Sequence, residues 1–295
     1  MIKKIKVLRN KFKKYNIDGY VVPKNDDYFT EYSKINRLKI ISNFSGSAGI
    51  AIILKNKNYL FTDGRYTIQS KIECGKNFKI TSFEKLINCN LFKNLTLGID
   101  PKLCTYSQIK RFFSKYNKIK CINSNLIDEI EKQKKKKSIP FFSLHKSIVG
   151  ETTNSKLNKI SKYLKRFKAD YILISAPENV AWILNIRGSD NPNSPIPNCR
   201  LLIGKKKEVF LITQKEKATK IIKDGKLSSR QIINPNNFSN LIKILKGKKF
   251  IIDPLSCSIL NEKIIRSKFK IINKYDPCYK LKAIKNSSEI KHMIN

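Results

Sequence analysis

Side chains of the types that catalysis draws on are scarce in this sequence. Its two histidines, His145 and His292, lie 147 residues apart, and neither belongs to an H-x-x-x-H or H-E-x-x-H pattern, so no zinc-protease helix is written here. His145, in Phe141-Phe-Ser-Leu-His-Lys, reads as a surface or packing residue. There is no G-x-S-x-G elbow, no Walker loop and no G-x-G-x-x-G. Seven cysteines are scattered, odd in number and without a C-x-x-C pair, the usage of reduced thiols rather than of a disulfide framework or a zinc site.

Three segments stand out, two for polar groups beyond structural need and one for its small residues. Phe44-Ser-Gly-Ser-Ala-Gly49 is glycine-rich but precedes a strand, whereas phosphate-cradling loops follow one and open a helix. It reads as a tight turn with small residues where chains approach closely. Phe61-Thr-Asp-Gly-Arg-Tyr66 ends a strand on a turn pair and throws Arg65 and Tyr66 onto the next helix, which Asp63 is placed to cap. For Arg65 two readings stand side by side: an ion pair within the domain, or an anchor for a carboxylate or a neighbouring subunit. The third segment, Asn179-Val-Ala-Trp-Ile-Leu-Asn-Ile-Arg-Gly-Ser-Asp190, holds the only Trp and runs into the Pro-rich stretch Asn191–Pro197. A short apolar helix, then Arg-Gly-x-Asp, then a stiffened loop is a way to hold polar residues at a surface. Here Arg187 and Asp190 are expected to pin the loop, with ligand contact as the alternative. Arginine is the less expected cation at these turns, because the chain has 52 Lys and only 9 Arg, and only the guanidinium fork grips a carboxylate with two parallel hydrogen bonds.

The elements that must position these residues repeat. Leu8–Val22 has helical spacing, a turn and a strand; Ile160–Ile174 has the same grammar, with Asp18 answering Asp170. Leu97-Gly-Ile-Asp-Pro101 precedes one amphipathic helix (Ile109, Phe112, Phe113, Tyr116), and Phe250-Ile-Ile-Asp-Pro254 another (Leu260, Ile264, Ile265). The two Asp pairs are 152 and 153 residues apart, so unrelated landmarks agree on one offset. A period that long predicts two copies of one domain, each a mixed β-sheet layered with helices in the α/β class. The expected boundaries are residues 1–131, an exposed Lys-rich linker over 132–140, a second copy over 141–276, and a final segment 277–295. In that segment Asn286 and Glu289 make a near capping box, opening a helix that looks like the start of a further domain.

Composition bounds the rest. Across 295 residues the hydrophobic share is 41%, enough for real cores, and the longest apolar runs are strand-length, so no bilayer-crossing helix is expected. The start, Met1-Ile-Lys-Lys-Ile-Lys, has no signal-peptide core, which with the thiols predicts a cytoplasmic protein. The net charge of +39 suggests a nucleic-acid binder. Lys, Ile and Asn, however, make up 126 residues, and these share A/T-rich codons. The Lys are also spread over nearly every element, so only weak, salt-sensitive association with polyanions is expected.

Glu31-Tyr32, Asn43 with the Phe44–Gly49 stretch, Thr62-Asp-Gly-Arg-Tyr66 and Ala181–Asp190 together resemble the long, three-domain Xaa-Pro aminopeptidases (aminopeptidase P, peptidase family M24). That family places two creatinase-like domains before a catalytic "pita-bread" domain, in accord with the duplication. The likeness spans Met1 to Asn295, and Lys285–Met293 is similar to the entry into the catalytic domain. It implies removal of an N-terminal residue that precedes proline. It also implies two Mn²⁺ or similar ions held by two Asp, one His and two Glu of the third domain, with no metal or catalytic residue in this chain. Further implications are a homodimer, a role in oligomerisation and substrate access, and Asp63, Arg65, Tyr66, Arg187 and Asp190 as contacts to substrate or subunit. Two rivals remain: a free-standing binding module of the same fold, and a basic polyanion-binding protein.

Overall fold

The structure is a computed structural model that describes residues 1–30, 35–87, 92–113, 117–131 and 138–294. Glu31, Tyr32, Tyr116 and most of the Lys-rich linker lie outside the described residues. The chain divides into two compact units, Met1–Lys135 and Lys136–Asn295.

In the first unit α1 (Ile2–Tyr15) buries Ile5, Leu8 and Phe12 on one face. It ends on Asn16 in the left-handed region (φ 44°), whose short polar side chain tolerates that geometry where glycine is the usual stop. Five strands follow, β1 (Gly19–Pro23), β2 (Ile50–Leu54), β3 (Asn58–Thr62), β4 (Lys79–Ser82) and β5 (Thr96–Ile99), and all but β4 bury an apolar run. With β6 (Lys118–Cys121) they form one sheet of order β4-β3-β2-β1-β5-β6. The β1–β2 and β2–β3 pairs are antiparallel; β3–β4, β1–β5 and β5–β6 are parallel. Helices α2 (Arg37–Ser42), α3 (Thr67–Cys74), α4 (Phe83–Ile87) and α5 (Tyr106–Phe112) complete the unit, α5 opening on a capping box between Thr105 and Gln108.

The second unit adds a small ribbon, β7 (Phe142–Ser143) against β9 (Ile186–Arg187), and a short helix α6 (Lys146–Val149) before repeating the plan. Helix α7 (Thr153–Arg166) leads into β8 (Tyr171–Ile174), followed by α8 (Pro177–Leu184), β10 (Arg200–Gly204), β11 (Val209–Ile212) and α9 (Lys215–Lys223). Then come β12 (Ile232–Ile233), α10 (Phe238–Ile244), β13 (Lys249–Ile252), α11 (Ile259–Arg266) and β14 (Lys270–Asn273). The sheet order β12-β11-β10-β8-β13-β14 matches the first strand for strand and sense for sense. The segment after Asp276 forms α12 (Cys278–Ala283) and α13 (Ser287–Ile294), and Cys278 is fully buried in the core of this unit.

The predicted landmarks fall at equivalent places. Asp18 and Asp170 each open the central strand and take a lysine ammonium at 2.6 Å, from Lys55 and from Lys205. Each also accepts backbone N–H groups at the start of the neighbouring parallel strand: Thr96 for Asp18, Lys248 and Lys249 for Asp170. Asp100 and Asp253 both follow a parallel strand, lie buried, and accept the backbone N–H two residues on. One domain occurs twice.

Asp170 supplies a test of this stitching. Burial raises its pKa, but the Lys205 ammonium and the two backbone donors outweigh that and hold the carboxyl at about 2, below its ordinary 3.8. A depressed carboxylate contributes stability that is present above its unfolded pKa and is lost as pH falls toward the folded one. Asp170→Asn is therefore expected to cost about 2 kcal/mol at neutral pH, a deficit that shrinks between pH 4 and pH 2 in urea titrations. An undiminished deficit at pH 2 would assign the loss to packing.

Candidate functional site

In the first unit the glycine-rich turn and the Asp-Gly-Arg-Tyr segment form one structure. Helix α2 stops on Asn43 (φ 65°), and Phe44 then drops fully buried into the core, edge-on to Tyr66 with ring centroids 5.7 Å apart. A Cβ on Gly46 would lie 2.3 Å from the Phe44 ring and 2.9 Å from the Tyr66 ring, so the turn needs glycine there. Ser45 gives both its N–H and its hydroxyl to Glu73 of α3, and Gln69 bridges the same pair. Burial works to raise the Glu73 carboxyl, but these donors outweigh it and hold the group below its ordinary value. Ser47 meets the Tyr66 hydroxyl at 2.8 Å, and Thr62 donates to the Ala48 carbonyl at 2.6 Å. The small residues thus let side chains and backbone approach closely, as the sequence predicts.

Asp63 caps the turn by accepting the Arg65 N–H at 3.0 Å. It also takes the Arg65 fork, Nε at 3.1 Å and Nη2 at 2.7 Å, which lowers its pKa. The arginine lies 5.1 Å above the Tyr66 ring, and its side chain is 68% exposed. Of the two readings of Arg65, the ion pair within the domain is present. An exposed pair of this kind is worth no more than about 1 kcal/mol, so it orients the guanidinium at little cost to any later partner.

The second unit departs from expectation. Helix α8 starts on Pro177 at its first turn and stops on Asn185 in the left-handed region; β9 then carries Arg187. Arg187 does not pair with Asp190. Asp190 instead accepts Lys217 Nζ and the Asn198 N–H, both at 2.7 Å, and so closes the Pro-rich loop from the far side. Asp190 lies past β9 in the bend that follows it, where Lys217 of α9 and the Asn198 N–H reach it, while Arg187 turns back to the end of α8. Arg187 Nη1 donates to the carbonyls of Ile186 at 2.9 Å and Ala181 at 3.4 Å. Among the described residues no carboxylate pairs with it, and burial lowers its pKa.

Sequence reading also missed Lys156. It occupies the register of Ile160 and Leu164 on the buried face of α7, and a lysine where the helical period reserves an apolar residue was the available signal. Its ammonium donates to the Trp182 carbonyl at 2.8 Å and to Asn185 Oδ1 at 2.7 Å, and lies 4.3 Å from the centroid of the Trp182 ring. Burial pushes its pKa down to about 8, opposed by Glu151 and Glu289 and assisted by Arg187.

Around these groups opens a cleft of about 350 Å³, lined by Glu178, Trp182, Arg187, Tyr279, Lys282 and Lys285 among others. One wall is completed by α13, whose predicted capping box is formed in both directions: Asn286 N–H to Glu289 and Glu289 N–H to Asn286, each 3.0 Å. Asn286 further ties α13 to the Val149 carbonyl at 2.9 Å. The arrangement can bind and orient a polar ligand. Among the described residues no three His, Cys, Asp or Glu side chains could hold a metal ion, so these residues do not fit a dinuclear centre and no hydrolytic step is assigned to them.

Comparison with known proteins places this geometry. The profile of the creatinase/prolidase N-terminal domain matches residues 4–130, and a second profile of the same description matches residues 131–289. Xaa-Pro aminopeptidase 1 of Dictyostelium discoideum is 31% identical over 99% of this chain and 50% of its own length. Xaa-Pro aminopeptidase ApepP of Drosophila melanogaster is 31% identical over 95% of this chain and 49% of its own. The chain spans about half the length of the curated relatives it matches. Among solved structures, X-prolyl aminopeptidase from Caenorhabditis elegans, described as a cytosolic enzyme with a di-nuclear active site, shares the fold with a TM-score of 0.86 at 23% identity, over 99% of this chain and 53% of that one. The chain therefore belongs to the creatinase/prolidase N-terminal domain family, carrying that domain twice in tandem as the N-terminal portion of the Xaa-Pro aminopeptidases does.

Proposed function

We propose that this chain supplies the non-catalytic N-terminal portion of a metal-dependent Xaa-Pro aminopeptidase, which releases the residue preceding proline from a peptide's N-terminus. The supporting observation is the tandem: two creatinase-type domains with one strand order, matched along nearly the whole chain by enzymes of that activity. An Xaa-Pro bond has no N–H on its proline side for ordinary peptidases to recognise, so selectivity must come from surfaces around the bond. Two Mn²⁺ or similar ions would belong to the part of the relatives that this chain does not match, and a metal pair there lowers the pKa of bound water and polarises the carbonyl. The domains described here would then serve dimer formation and limit substrate access. Their partners would be a catalytic domain, a second copy and a peptide with proline at its second position, in the cytosol. Arg65, oriented by Asp63 and Tyr66, is the residue we assign to a neighbouring subunit or a substrate tail.

Joining this chain to the catalytic half of the Dictyostelium relative is expected to give a Mn²⁺-dependent enzyme active on Xaa-Pro peptides, whereas the chain alone releases no amino acid. In that fusion Arg65→Lys should lower dimer content or kcat/KM at unchanged Tm. A folded, Mn²⁺-loaded fusion without activity would count against the assignment, as would stoichiometric tight Mn²⁺ binding by this chain alone in calorimetry.

A further inference from the structure

We propose that the cleft beside Arg187 is a binding site for the C-terminal carboxylate of a peptide, held side-on by the Arg187 fork between the rings of Trp182 and Tyr279. The choice of a peptide as ligand rests on the reading above; the anion site itself rests on the geometry of the second unit.

Buried charges in proteins are paired, and the first unit shows what a satisfied arginine looks like. Arg37, 7% exposed, has both arms on Asp128, Nε at 2.9 Å and Nη2 at 2.8 Å, with Asp27 at 4.0 Å. Arg187 is half-buried, yet among the described residues its partners are two backbone carbonyls, both taken by Nη1. Those bonds occupy Nη1 and leave the Nε–Nη2 edge, the edge a carboxylate takes with two parallel bonds, without a partner among the described residues, on a side chain that lines the cleft. A second cation, Lys156, lies against the same Trp182 ring, and Lys282 and Lys285 line the cleft as well. Their combined field favours a negative guest.

Two carboxylates limit how much charge that guest can carry. Glu289 is committed to its capping box, and Glu178 lies in the first turn of α8, where the helix dipole favours it. Both line the cleft and oppose a dianion such as phosphate, while a single charge set on Arg187 is tolerated. The indole of Trp182 and the phenol of Tyr279 offer flat apolar surface to the terminal side chain. A volume of about 350 Å³ lies at the small end of ligand sites and suits the last one or two residues of a peptide.

Trp182 is the only tryptophan in the chain, so its fluorescence reads occupancy of this cleft directly. The intact chain is titrated with the tetrapeptide Ala-Pro-Ala-Phe as free acid, with the same peptide as C-terminal amide, and with inorganic phosphate. The acid should give a saturable change, with the amide at least tenfold weaker and phosphate weaker still. Arg187→Gln should bring the acid down to the level of the amide. Because Nη1 also ties down the end of α8, Lys285→Glu, at an exposed residue of the cleft lining, serves as a second variant, expected to weaken the acid severalfold and leave the amide unchanged. Equal binding of acid and amide, phosphate competing as well as the acid, or no response to either peptide would each overturn the proposal. The readout is binding by this chain and not hydrolysis, so such a failure leaves the aminopeptidase reading standing.

Discussion

Between pH 9 and pH 10.5 each unit is expected to lose about 4 kcal/mol of unfolding free energy, at a slope that steepens to about 3 kcal/mol per pH unit. The cause is buried thiols, joined near pH 10 by phenols that burial raises above their ordinary 10.0, Tyr20 in the first unit and Tyr163, Tyr171 and Tyr279 in the second. In the first unit burial raises Cys74 to about 11 and Cys104 to about 12, against an ordinary 9.0. In the second, burial pushes Cys199, Cys257 and Cys278 well above that value. A folded chain that keeps thiol protons where the unfolded chain has shed them loses stability as pH rises past the unfolded pKa, by roughly 1.4 kcal/mol per proton per pH unit. The first unit retains two such protons. The second retains three but, between about 8 and 10.5, lacks the one that unfolded Lys156 would carry, and so differs by two. From pH 8 to pH 9 the gain from Lys156 and the early loss from the three thiols nearly cancel, so the second unit should hold level there. Urea unfolding followed by Trp182 fluorescence for the second unit and by circular dichroism for both measures these slopes. Lys156→Met should turn that level stretch into a fall and steepen the later one to about 4 kcal/mol per pH unit in the second unit alone. A flat profile from pH 9 to pH 10.5 would show that the thiols are solvated in the folded chain.

Phe44→Ala should cost the first unit about 3–5 kcal/mol. The ring is fully buried, packs edge-on against Tyr66, and fills the space that glycine leaves at position 46. Removing it opens a cavity bounded by the α2 stop, the turn and α3, whose hydrogen bonds hold the backbone in place and keep it from collapsing inward. Phe44→Leu, which refills part of the volume, should lose roughly 1–2 kcal/mol. A loss under about 1 kcal/mol for the alanine variant in urea titrations would mean that the turn collapses onto Leu38 and that the serine–glutamate hydrogen bonds do not carry its shape.

Much of this protein was legible in its residues because the signals were local or repeated. Buried strands read as apolar runs. The Asp18–Asp170 and Asp100–Asp253 offsets exposed the duplication because a carboxylate that stitches two strand starts, or caps the turn after a strand, must recur wherever the domain recurs. Asp63 as a cap and Asn286–Glu289 as a capping box followed from short-range hydrogen-bond geometry, which spacing alone specifies. Partner choice between distant segments was decided only in three dimensions. Arg187 and Asp190 are three residues apart, yet Arg187 turns back to the Ala181 carbonyl and Lys217, 27 residues on from Asp190, takes the carboxylate. Glu73 reaches back 28 residues to Ser45, and the Lys156 ammonium finds the end of α8 across a helix packing. Sequence fixes the propensity of each element and the charges it carries. Which charge is left without a counterpart, as at Arg187, depends on how elements far apart in the chain close upon one another, because pairing energies fall off within a few ångströms and only the folded packing sets those distances.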